Sequence, residues 1–146
     1  MLKGIDPILT PELLMRLCAM GHGEWVAVVD ANFTADFLSQ GKSVVRLPGL
    51  SLERVSRAVL SVFPLADDVQ QPAAYMHACN HPMDHRTSAQ QAIVDLVSEH
   101  GLAQARVEPV ERFAFYDKIK GASLIVQSGE ATAYGNAMFC KGVILN

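Results

Sequence analysis

The residues best suited to moving protons in this chain are a histidine set between two glycines and an aspartate that closes a short apolar run. Both stand in Met20-Gly-His-Gly-Glu-Trp-Val-Ala-Val-Val-Asp30-Ala-Asn-Phe33. An imidazole gains and loses a proton near neutral pH, so His22 is a candidate acid or base. The apolar run from Glu24 to Val29 reads as a strand buried on both faces, and it delivers Asp30 to a carboxyl end, where open α/β sheets present ligand contacts. Six extended residues span about 20 Å. His22 and Asp30 therefore meet only if the loop folds back over the sheet or neighbouring subunits share a site.

The remaining polar candidates suit the same chemistry. His22 and Asp30, with Arg112, Tyr134 and Asn136, can hold a polyhydroxylated molecule by hydrogen bonds while protons move about it. The sequence has no Gly-x-Ser-x-Gly elbow, no phosphate-binding loop and no dinucleotide fingerprint after the first strand. His77, His81 and His85 recur every fourth residue, which would align them on a helix, but Pro82 breaks that helix and the zinc geometry with it. A polar loop from Asn80 to Arg86 that lines or covers a site is expected instead, with a metal-dependent isomerase or hydrolase as the competing reading.

The elements that position these groups follow from periodicity and punctuation. Thr10 caps a first helix that has Pro11 at its first position, carries Leu13, Leu14, Leu17 and Cys18 at helical spacing, and stops at Gly21 in the left-handed conformation. A short helical or irregular connection spans 34–40, and Val44 to Leu47 is a strand. Ser51 caps a helix with Leu52, Val55, Val59 and Val62 on its buried stripe, ended by Pro64. Strands are expected over 73–78 and 106–110. A helix opened by Thr87 or Ser88 lies between them and ends at Gly101.

Glu111 to Lys120 forms a further helix, in which Phe113 and Phe115 cannot both face the core, so one of them or Tyr116 faces a ligand or partner. Strands at 122–126, 138–140 and 143–145 complete the chain. This order predicts a three-layer α/β/α single domain over residues 1–146, with a mainly parallel sheet and helices on both faces.

Composition narrows the function classes. Half of the 146 residues are hydrophobic, 18% are charged and the net charge is -3, the balance of a compact globular protein with apolar surface to spare for an interface. The scattered basic residues form no stripe for nucleic acid, and neither a secretion signal nor a membrane-spanning run is expected, so a cytoplasmic location is. Cys18, Cys79 and Cys140 read as reduced thiols, with Cys18 and Cys140 in the core.

Five separated segments carry a resemblance: Met20-Gly-His-Gly, Asp30-Ala-Asn-Phe, Arg112-Phe-Ala-Phe-Tyr, Gly129-Glu-x-x-x-Tyr134-Gly-Asn and Lys141-Gly-Val. Together and in this order they resemble the signature segments of the sugar mutarotase family of L-fucose mutarotase and D-ribose pyranase, with Arg112-Phe-Ala-Phe-Tyr closest to the fucose branch. The resemblance implies an isomerase that interconverts the α and β anomers of a monosaccharide, L-fucose foremost, without a cofactor. It assigns His22 as the acid/base and Tyr134 as a second proton-transfer group. Asp30, Arg112, Tyr134, Gly135 and Asn136 would bind the sugar. Family members form rings, commonly homodecamers, whose sites are completed across subunit contacts. The stretch from His77 to Arg86 departs from the family pattern, as does Asn32, where a histidine is also found. A non-catalytic monosaccharide-binding protein on the same scaffold is the alternative.

Overall fold

The computed structural model describes residues 2–145. Its elements run α1 (Pro11–Ala19), β1 (Trp25–Val29), α2 (Ala35–Leu38), β2 (Val44–Leu47), α3 (Leu52–Leu60), β3 (Ala73–Met76), α4 (Ser88–Glu99), β4 (Val107–Val110), α5 (Arg112–Lys120), β5 (Leu124–Ser128) and β6 (Ala137–Cys140), with a single 3₁₀ turn (Gln104–Arg106) before β4. The strands form one sheet in the order β2-β5-β1-β6-β3-β4. β2, β5 and β1 are parallel, as are β3 and β4, while β6 lies antiparallel between β1 and β3.

A mainly parallel sheet was the expectation and five of the six strands meet it; β6 runs the other way for a topological reason. The connection from Ser128 to Ala137 holds no helix and is too short to carry the chain back for a parallel crossover, so the strand returns against its neighbours.

Alternate residues of the central strands feed two cores. Val26 and Val28 face α1, α3 and α4, among Leu13, Leu17, Leu52, Val55 and Ile93. Ala27 and Val29 face α2 and α5, among Leu38, Phe115 and Ile119. This is the three-layer arrangement that the near-continuous apolar strands require, since each strand face must leave water.

Local capping chemistry starts the helices where the sequence places them. Thr10 Oγ1 accepts from the Leu13 amide at 3.2 Å, Ser51 Oγ from Arg54 at 3.2 Å, and the Glu111 carboxylate from Phe113 and Ala114 at 2.8 and 3.1 Å. Thr87 and Gln90 form a reciprocal capping box at the head of α4.

Four expectations are corrected. α1 does not end on a left-handed Gly21: Met20 turns extended (φ -69°, ψ 138°), and the Lys141 ammonium donates to the Leu17 and Met20 carbonyls, capping the helix from the other end of the chain. Cys18 is exposed, because α1 buries only Leu13 and Leu17 and turns the neighbouring positions outward. The strand expected at 122–126 begins at Leu124, since Ala122 and Ser123 still belong to the turn after α5. Residues 143–145 form no strand, and their side chains point into solvent.

Candidate active site

The five parallel strands point the same way, so their carboxyl ends share one edge of the sheet, and the start of β6 lies on that edge too. Asp30 follows β1, Met76 ends β3, Arg112 follows β4, and Tyr134 and Asn136 lie on the segment between β5 and β6. They line a cleft of about 380 Å³ together with Phe33 and Tyr116. Five of the six site residues read from the sequence thus come together, Gly135 lying within the same turn. A crevice at the carboxyl edge is where the open α/β fold places its ligands.

Asp30 and Asn136 form the fixed floor. The Asn136 amide group donates to Asp30 Oδ2 at 2.8 Å and its carbonyl oxygen accepts the Asp30 backbone amide at 2.9 Å, so each residue holds the other by two bonds. Asp30 Oδ1 accepts from the Asn32 amide at 2.9 Å. Both side chains are buried. Burial pushes the Asp30 carboxyl above its ordinary value, against the opposing pull of the bonds from Asn136 and the Asn32 and Phe33 amides. The loop that carries Asp30 is stitched to β5: Gln127 Nε2 donates to the Ala31 and Phe33 carbonyls, and the Ala31 amide donates to the Glu130 carbonyl at 2.9 Å.

Tyr134 has φ +62°, a left-handed conformation that a bulky side chain seldom adopts. Gly135 follows it because no side chain fits there: an added Cβ would stand 2.7 Å from Glu130 Cγ and 2.9 Å from the Thr132 carbonyl oxygen. The Tyr134 phenol is pushed above its ordinary value, first by the neighbouring Cys79 thiol and then by partial loss of water, so it keeps its proton. Arg112 donates through Nε to the Tyr116 hydroxyl at 2.9 Å and lies over that ring at 5.5 Å; the bond raises its already high value, leaving it cationic throughout the working range. Tyr116 also meets Phe33 edge to face at 5.6 Å. Of the three aromatics in α5, Phe115 is core, Phe113 is 67% exposed and Tyr116 faces the cleft.

His22 is not in this cleft. It precedes β1 and so lies at the opposite edge of the sheet, where its side chain is 44% exposed and its Nε2 is 3.0 Å from the Asp68 carboxylate. The loop does not fold back, which removes the first of the two ways in which His22 and Asp30 could meet. The Asp30 carboxylate orients Asn136. Asp68, lowered below its ordinary value by its bond to His22, had no signal in the sequence, because the pair is 46 residues apart.

The three other spaced histidines also separate. His77 is buried and bonds through Nε2 to the Pro82 carbonyl at 2.9 Å, while His81 and His85 stack at 4.0 Å. Among the described residues no three His, Cys, Asp or Glu side chains are grouped to hold a metal.

Fold and cleft define a small α/β protein whose candidate site gathers a carboxylate, an amide, a guanidinium and a phenol at the carboxyl edge of its sheet. The chain belongs to the RbsD / FucU transport protein family, whose model matches residues 3–144. It is 40% identical over 147 residues to the fucose mutarotase of Danio rerio, covering 98% of this chain and 94% of that one. It is 38% identical to the L-fucose mutarotase of Glaesserella parasuis, covering 98% and 96%. A crystal structure of the Streptococcus pneumoniae fucose mutarotase in complex with L-fucose superimposes with a TM-score of 0.90 at 27% identity, covering 99% of this chain and all of that one.

Proposed function

We propose that this protein is an L-fucose mutarotase, an isomerase that interconverts the α and β anomers of the sugar, acting as a single domain in a ring of identical subunits. The observation that carries the reading is the cleft, in which one buried carboxylate, one fixed amide, one cationic guanidinium and one protonated phenol converge. Relatives that bear the fucose mutarotase name at 40% and 38% identity support the substrate.

Anomer exchange needs a base for the anomeric hydroxyl and an acid for the ring oxygen. The ring then opens to an aldehyde and closes on the other face. Asp30 accepts a sugar hydroxyl, and Asn136 and Arg112 donate to sugar oxygens. Tyr134 keeps its proton in the working range and is the second proton-transfer group, after His22. His22 is the acid/base and comes from a neighbouring copy, because its own chain holds it at the far edge of the sheet. Asp68 orients its ring there. No step calls for a cofactor, and the cytosol is the proposed location.

Saturation-transfer NMR on L-fucose tests this directly. Saturating one anomer should diminish the other's signal faster with the protein than without it, and a chelator should not change that. Saturable binding without acceleration would make the protein a sugar-binding relative instead.

A further inference from the structure

Gln90 is a buried polar residue whose bonds reach beyond its own helix. It lies in the third position of α4, is fully buried, and reaches away from its helix toward the cleft. Its Oε1 accepts the Thr87 amide at 2.8 Å, completing the helix cap. Its Nε2 donates to the Met76 carbonyl at 2.6 Å and stands 3.4 Å from the Tyr134 carbonyl. The amide group has only one satisfying orientation, since an N–H faces one end and two carbonyls face the other.

Those two carbonyls belong to the backbone that sets the site. The Met76 amide donates to the Asn136 carbonyl at 3.0 Å, and the Asn136 amide donates to the Tyr134 carbonyl at 2.9 Å. Gln90 therefore grips both sides of the Tyr134-Gly135-Asn136 turn, at the residue whose left-handed backbone is uncommon for a tyrosine. A helix cap alone needs no group that extends to the cleft; Thr87 supplies the cap's other half without touching it.

We propose that Gln90 is a positioning residue for the reaction: it holds Tyr134 and Asn136 in register by binding the Met76 and Tyr134 carbonyls. This rests on the reading of the cleft as a mutarotase site. Without the amide donor, the turn relaxes, the Tyr134 hydroxyl leaves its line to the sugar, and turnover falls while binding through Asp30 persists.

The test compares Gln90→Met, Gln90→Glu and Thr87→Ala with the wild type, reading L-fucose anomer exchange and hydrogen exchange of the Asn136 amide. Gln90→Met should lower kcat by roughly tenfold or more, with a much smaller change in KM, and speed exchange at Asn136. Thr87→Ala, which weakens the same helix cap, should leave both near wild type. Gln90→Glu donates only when protonated, so its kcat relative to wild type should rise as pH falls. This arm also serves if the methionine variant does not fold. Wild-type kcat and Asn136 exchange in Gln90→Met, or equal losses in Gln90→Met and Thr87→Ala, would overturn the proposal. If the wild type itself exchanges no anomers, the enzymatic reading fails, and the Asn136 amide alone decides whether Gln90 holds the turn.

Discussion

Asp30 works at the cost of being buried, and that cost is legible in how it responds to pH. Its carboxyl lies above the ordinary aspartate value chiefly because burial disfavours the charge. A raised value in the folded chain means that its contribution to stability is complete below the unfolded value and is lost as pH rises through the folded one. Acidification therefore relieves a folding penalty at this residue, yet in the proposed site it removes the charged acceptor for a sugar hydroxyl, and charge-assisted bonds are about twice as strong as neutral ones. The dissociation constant for L-fucose should accordingly rise on acidification at a pH above ~3.9, where a free aspartate titrates. A titration followed by sugar NMR shifts checks this, and Asp30→Asn should abolish that limb. An acid limb at or below the ordinary value would show that Asp30 is not the group that binds.

At the scale of elements, α5 illustrates how one helix serves core and cleft at once. Phe115 and Ile119 anchor it to the sheet, and this places Arg112 at its head and Tyr116 on the cleft side. Replacing the fully buried Phe115 by alanine should cost about 3–5 kcal/mol, by lost burial plus the cavity left behind. Phe113→Ala, at an exposed position, should stay within about 0.5 kcal/mol. Urea unfolding of the two variants measures both, and equal losses would mean that the helix is rotated from its described face.

Much of this level was readable in advance. Thr10, Ser51, Thr87 and Glu111 start their helices through contacts two or three residues away, and apolar spacing marks the faces. What escaped depends on partners distant in the chain: the Lys141 cap on α1, the insertion of β6 between β1 and β3, the grip of Gln90 on Tyr134, and the pairing of His22 with Asp68. Asp30, Arg112, Tyr134 and Asn136 were named from the sequence because the family's segments mark them, while Met76 and the strand order that gathers the cleft were not.

At the scale of the molecule, β1 divides the candidate chemistry into two half-sites. Asp30, Tyr134 and Asn136 stand at one edge of the sheet, and His22 with Asp68 at the other. The His22 edge carries unburied apolar side chains, with Ile144 and Leu145 80% and 85% exposed beside a groove that includes Leu14, Leu17 and His22. In the proposed ring, this edge meets the cleft of the next copy, and each subunit lends a histidine to its neighbour. The arrangement has an arithmetic consequence. His22→Ala and Asp30→Asn should each be inactive when made alone. Co-expressed in equal amounts, they assemble at random, and about one quarter of the sites then combine an intact His22 with an intact Asp30 from the next chain. Anomer exchange should recover to about that fraction of wild type. If each site used the histidine of its own chain, every site in the mixture would lack one of the two groups, and no activity would return at any mixing ratio.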